Sequence, residues 1–294
     1  MGYIFLILSK ICAVTKMIAV KSSGNIASGA KNSLKINILR SLGCIAVSLI
    51  VCAFSGFRHM SGTGLLFTVI SGASNGLLLC SWILAASAAP MITVEVFCMI
   101  GGVVIPLLIS PIILEGESVT LIQWIGSLLL FAAVFCFSKK NHGKGVTAKG
   151  ILLMCIAGLS NAGCVISQKF YRSFEGGTVA DFQLGTFIVT ICVLSLILLF
   201  MSLIKRSDAS DGGGKLSGKV ILLITLAFVM TYASQFLSTV AAGSISASVL
   251  YPLAYVISMP LTFIVDVLVF RERVTVANIL GLLLVTASGI LINI

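Results

Sequence analysis

Charge is scarce in this sequence. Lys, Arg, Asp and Glu together make up 10% of its 294 residues, against about 25% in soluble proteins. With 59% hydrophobic residues and a mean hydropathy of +1.17, too few polar side chains remain to cover a soluble globule. A soluble domain, a disordered chain and a disulfide scaffold are thereby excluded. Histidine is confined to His59 and His142. Both fall in loops on opposite sides, so no His pair can hold a metal. The nine cysteines all lie in apolar segments with no Cys-x-x-Cys spacing. They read as small apolar residues with free thiols. There is no Gly-x-Ser-x-Gly elbow, no His-Glu-x-x-His and no pair of facing carboxylates, so the sequence offers no catalytic centre and calls for no cofactor. A cleavable leader is not evident either, because the first apolar run carries Lys10 and Lys16 and lacks a small-x-small cleavage site.

Long apolar runs are what is present. A transmembrane helix needs about 20 apolar residues, and ten such runs can be read. They cover about 3–20, 34–55, 64–86, 91–114, 119–138, 150–171, 179–204, 219–242, 245–270 and 274–294. The runs are too long and too continuously apolar for barrel strands. Helices are also what lipid demands, since each backbone group must be paired within its own segment. The fold class expected is an all-α polytopic membrane protein. The longest connections, 21–33, 139–149 and 205–218, are too short for a soluble domain. The third contains Gly212, Gly213 and Gly214 but lacks the strand and the Gly-Lys-Ser/Thr ending of a phosphate-binding loop.

The chain also repeats itself. Glu117, Thr120 and Gly126 open the fifth run, and Glu272, Thr275 and Gly281 open the tenth at identical spacing. Ala73-Ser74-Asn75 in the third run has a counterpart in Ala233-Ser234-Gln235 in the eighth. Leu8-Ser9-Lys10 in the first matches Leu159-Ser160-Asn161 in the sixth. The domains read from this are a first five-helix repeat over 1–138, a basic connecting loop at 139–149, and a second repeat over 150–294. An odd number of spans per repeat places the second half upside down in the membrane, an arrangement used for alternating access. Five plus five spans, the repeated Glu-x-x-Thr-x-x-x-x-x-Gly pattern, Arg40 in the second span and Pro106 and Pro111 in the fourth resemble the drug/metabolite transporter superfamily, EamA-type. That resemblance covers nearly the whole chain. It implies the ten-span inverted fold and membrane transport of a small metabolite, but not which metabolite.

The net charge of +10 belongs to topology rather than to nucleic acid. Connections after the odd-numbered spans carry thirteen Lys and Arg, from Lys21 to Arg273, and the opposite side carries three, Arg58, Lys169 and Arg172. The positive-inside rule puts the richer side in the cytoplasm and both termini outside. The family resemblance implies cytoplasmic termini instead, and the loop charge is given the greater weight. The membrane expected is the plasma (inner) membrane.

Polar residues inside the spans mark the candidate site, because lipid penalises them unless they line a cavity or pair. Lys10 and its repeat counterpart Asn161 lie near mid-span. Lys16, about one turn from the end of its span and on another face, is expected to snorkel to the interface. Glu95, about one turn inside the fourth span, reads either as a proton site or as a carboxylate paired with Lys16 or Arg40. Asn75 stands in a stripe with Ser71 and Trp82. Thr231, Gln235, Ser238 and Thr239 share one face of the eighth span. Ser248, Tyr251, Tyr255, Ser258 and Thr262 share one face of the ninth, where Pro252 is expected to open the helix. Spans five and ten look like featureless peripheral helices.

The expected function is secondary transport of a small polar metabolite, such as an amino acid or related zwitterion. Lys10 would hold its negative group, Asn75, Asn161 and Gln235 would supply hydrogen bonds, and Tyr251 would pack against its apolar part, with Glu95 and Tyr255 as further candidate binding residues. The expected partners are that substrate and the lipid bilayer, with proton or ion coupling and a monomeric or homodimeric state left open, and with no nucleic acid. A phosphorylated-sugar, nucleotide-sugar or lipid-carrier transporter remains an alternative, as does a non-transporting scaffold or accessory subunit.

Overall fold

A computed structural model describes residues 1–23, 30–88, 91–114, 116–138, 148–174, 177–204, 218–269, 271 and 274–293. The triglycine loop and nearly all of the basic connecting loop fall outside these residues. Ten helices and no strand occur among them: α1 (Gly2–Ser23), α2 (Ala30–Ser55), α3 (Gly62–Ala88), α4 (Met91–Ile113), α5 (Leu121–Ser138), α6 (Ala148–Phe174), α7 (Val179–Ile204), α8 (Gly218–Ala242), α9 (Ala247–Leu268) and α10 (Val276–Ile292). Each coincides with an expected run to within a few residues. Seven are long and apolar enough to cross a membrane, while α4 and α5 carry shorter apolar stretches within their lengths and α10 is itself a shorter apolar helix.

The distribution of polarity is that of a protein dissolved in lipid. Ile112 is 82% exposed and Leu121 77%, whereas Gln183 and Thr190 are fully buried. Bulky aliphatics face outward because lipid tails are as apolar as they are, and polar groups turn inward to find partners. The chain is a multi-pass membrane protein.

Packing runs across the middle of the sequence. α6 lies against α3 and α4, while α1 lies against α8 and α9. α7 packs on α2 and α3, α8 on α2, and α5 on α10. Small residues allow the closest approaches. At the α4–α6 crossing Gly101 meets Gly158 backbone to backbone, and a Cβ on Gly101 would collide with the Gly158 carbonyl.

The two ends α5 and α10 are less plain than the sequence suggests. Gln123 Nε2 donates to the Ile292 carbonyl at 3.4 Å, and Ser288 Oγ donates to the Gly126 carbonyl at 2.7 Å. Thr120 caps α5, accepting from the Gln123 amide at 3.2 Å while Gln123 Oε1 accepts from the Thr120 amide at 3.1 Å. Thr275 caps α10, accepting from the Asn278 amide at 3.4 Å. The repeated threonine is therefore a helix start, and the repeated glycine in α5 lies where α10 comes close. At α9 the expected opening does not occur, since the helix continues through Pro252 and Pro260.

Candidate functional site

The polar residues of the bundle divide into those consumed by helix–helix contacts and those left accessible. Asn75 belongs to the first group. Its Nδ2 donates to Thr190 Oγ1 at 3.1 Å, joining α3 to α7, and it is buried. Gln183 on α7 donates to Thr239 Oγ1 at 2.8 Å and to the Gln235 carbonyl at 3.3 Å, joining α7 to α8. Tyr251 is 3% exposed in an apolar cluster with Leu6, Ala241, Ile245 and Leu250. Its hydroxyl lies beside Ser110 without a hydrogen bond. The structure thus buries Asn75 and Tyr251 among helix–helix contacts.

Asn161 and Tyr255 come together as a pair. Asn161 Nδ2 donates to Tyr255 Oη at 2.7 Å and to the Cys98 carbonyl at 2.7 Å. This ties α6 to α9 and α4, and both side chains remain half-exposed. Gly102 makes the room, because a Cβ there would collide with both polar groups. Gln235 is also half-exposed, and no described residue hydrogen-bonds its side-chain amide. The side chain of Glu95 lies outside the described residues.

Lys10 does not stand alone. Lys16 is close enough to Lys10 and to Arg40 to interact electrostatically with both, and Cys44 lies beside Arg40 and Lys16. Two contacts on α8 fix their depths. Ser9 Oγ donates to the Ser234 carbonyl at 2.8 Å, and Gly2 abuts Ser244, so α1 runs antiparallel to α8. Cys44 Sγ donates to the Phe228 carbonyl at 3.4 Å and Ser48 lies beside Tyr232, so α2 runs parallel to α8. Counting along the helices sets Lys10 level with residue 233 of α8, Lys16 with 227 and Arg40 with 224. At 1.5 Å per residue, Lys16 and Arg40 are about 4.5 Å apart in depth, and Lys10 is about 9 Å further. The middle of α8 is residue 230. All three cations therefore lie within about 9 Å of the midplane of a hydrocarbon layer about 30 Å thick.

Snorkelling does not describe Lys16, which keeps company with two other cations near mid-depth. Each cation costs about 2.5–3.5 kcal/mol at the centre of a bilayer on insertion scales, and like charges add to that. Among the described residues no side chain hydrogen-bonds or ion-pairs with Lys10, Lys16 or Arg40. All three are enclosed by protein, yet each retains accessible surface.

A second charged feature lies at the end of the bundle where α5 and α9 start. Lys169 Nζ is 3.3 Å from Glu117 Oε1 and donates to the Ile245 carbonyl at 2.7 Å. Both Glu117 oxygens accept from the Ala247 amide, at 3.0 and 2.8 Å, so the carboxylate caps α9. By sequence Lys169 is a loop charge, whereas in the structure its side chain is buried and paired with Glu117. Nothing in the local sequence pairs Glu117 with Lys169, because the two meet only through the α8–α9 turn.

No protein-family model and no curated relative matches the chain. The fold recurs among solved structures. One crystal structure superimposes with a TM-score of 0.74 at 12% sequence identity, over 99% of this chain and 94% of the other. At that identity the likeness shows the fold alone.

Proposed function

We propose that this protein is a secondary transporter of the drug/metabolite type, moving a small polar metabolite by alternating access between two inverted five-helix halves, 1–138 and 150–294. The observation that carries the reading is the set of enclosed but accessible polar side chains near mid-bilayer depth, Lys10, Lys16 and Arg40 on one side and the Asn161–Tyr255 pair on the other. A scaffold has no use for uncompensated cations at that depth.

The packing supports the two-half arrangement. Advancing each helix by five positions turns the α3–α6 contact into α8–α1, α4–α6 into α9–α1 and α3–α7 into α8–α2, all of which are present. The α5–α10 and α2–α7 contacts map onto themselves. That is the pattern expected of halves exchanged by a twofold axis. The Thr120 and Thr275 caps stand in equivalent places. Without an ATP-binding motif in the sequence, the driving force is a gradient of substrate or of a coupled ion.

The test is counterflow in proteoliposomes across a panel of amino acids, amines and organic phosphates. Saturable exchange of at least one class, reduced by Lys10→Gln, is expected. Absence of exchange for every class by folded protein would favour the scaffold.

A further inference from the structure

We infer that the substrate is a small organic phosphate, its phosphoryl group held by Lys10, Lys16 and Arg40. This inference deepens the transport reading above and rests on it. The charge balance around this cluster decides the class. Three cations share it, and the acidic residues of the spans are Glu95, Asp181 and Asp266. Asp181 is committed elsewhere, accepting from Thr178 Oγ1 and from the Arg58 amide at 3.2 Å. Asp266 falls within the last turn of α9, which runs antiparallel to α4 and α8, and so comes to about the depth of Arg40. Glu95 is the fifth residue of α4, at about the depth of Arg40. Lys16 and Arg40 interact electrostatically with neither Glu95 nor Asp266, and even with each acid neutralising one cation an excess of positive charge remains. An amino acid zwitterion has no net charge to offset it, and an organic cation would be repelled. A phosphate monoester carries about −1.5 to −2 at neutral pH.

The arrangement also suits one compact group of oxygens. Lys16 and Arg40 differ by about 4.5 Å in depth, so a guanidinium fork and an ammonium can converge on the same phosphoryl oxygens. The flexible Lys10 chain approaches from the midplane side. Gln235, level with Lys10 on α8 and with its side-chain amide unengaged among the described residues, is placed for a hydroxyl of the organic part.

The experiment uses full-length protein in detergent and in proteoliposomes. The probe is radiolabelled inorganic phosphate, competed by glycerol phosphate, succinate, glycerol and an amino acid panel. Saturable phosphate binding is expected, displaced by glycerol phosphate and not by glycerol or amino acids. Each of Lys10→Gln, Lys16→Gln and Arg40→Gln should weaken it by about tenfold to a hundredfold, the range for one charge-assisted contact. Lys31→Gln, at the start of α2, should leave it unchanged. Because each substitution removes an uncompensated buried charge, the glutamine variants should unfold at an equal or higher temperature than the parent without phosphate, and should gain less from added phosphate. Amino acid or succinate binding in preference to phosphate would overturn the inference, as would unaltered phosphate binding by all three variants. Counterflow separates the two levels. Amino acid exchange with no phosphate binding leaves transport standing and sinks the phosphate assignment. Phosphate binding that needs the three cations but drives no exchange upholds the site and sinks transport.

Discussion

Lys169→Met should destabilise the protein by about 3 kcal/mol. The ammonium lies 3.3 Å from Glu117, with the two side chains only 9% and 14% exposed. At an effective dielectric constant near 20, a pair at that distance attracts by about 5 kcal/mol before desolvation is subtracted. Removing one partner of a buried pair costs about 3–5 kcal/mol, because the other charge is left without compensation. Here the cost falls at the lower end, since Glu117 keeps the Ala247 amide as a donor. Methionine preserves the length and apolar stem of lysine, so packing is nearly conserved. Unfolding in mixed micelles with increasing denaturing detergent would give the difference, with Glu117→Met and the double variant completing a cycle. The double variant should lose less than the sum of the singles, by at least about 1 kcal/mol, as residues in contact do. Single losses below about 0.5 kcal/mol, or strict additivity, would refute the claim that this pair holds the α5–α6–α9 junction together.

Three further outcomes follow from the geometry. Gly101→Ala should cost about 1–3 kcal/mol by forcing α4 off α6, while Gly62→Ala, where nothing lies within 4 Å, should be neutral. Comparison of their thermal unfolding checks this, and equal stability would argue against the close crossing. Tyr255→Phe should cost about 1 kcal/mol by removing the acceptor of the 2.7 Å bond from Asn161, measurable by the same assay. Protease treatment of tags on intact cells should cleave both termini from outside. Burial of Lys169 against Glu117 lowers the free charge on the poorer side of the molecule, leaving Arg58 and Arg172 there against thirteen Lys and Arg opposite. Protected termini would show that loop charge does not set this topology.

Hydropathy alone located the helices, because in lipid a segment must satisfy its own backbone, and a continuous apolar run has no other way to do so. Loop lengths, the charge asymmetry and the repeated Glu-x-x-Thr pattern were legible for the same reason: each is a property of neighbours along the chain. The fate of each polar side chain was not. Periodicity gives the angle at which Asn75 or Tyr251 leaves its helix, but only the partner helix decides whether Thr190 or an apolar cluster meets it there. Likewise Lys16 leaves α1 about 120° around from Lys10, which on sequence separates them. Tertiary packing reverses that conclusion, because α1 and α2 both lie on α8 and long flexible side chains from the two helices come close enough to interact. The Glu117–Lys169 pair is decided in the same way, by a turn between α8 and α9 that brings together residues far apart in the chain. Span-forming tendency is local and so can be read from one strand of sequence, whereas charge pairing and accessibility are relations between helices and exist only once the bundle has formed.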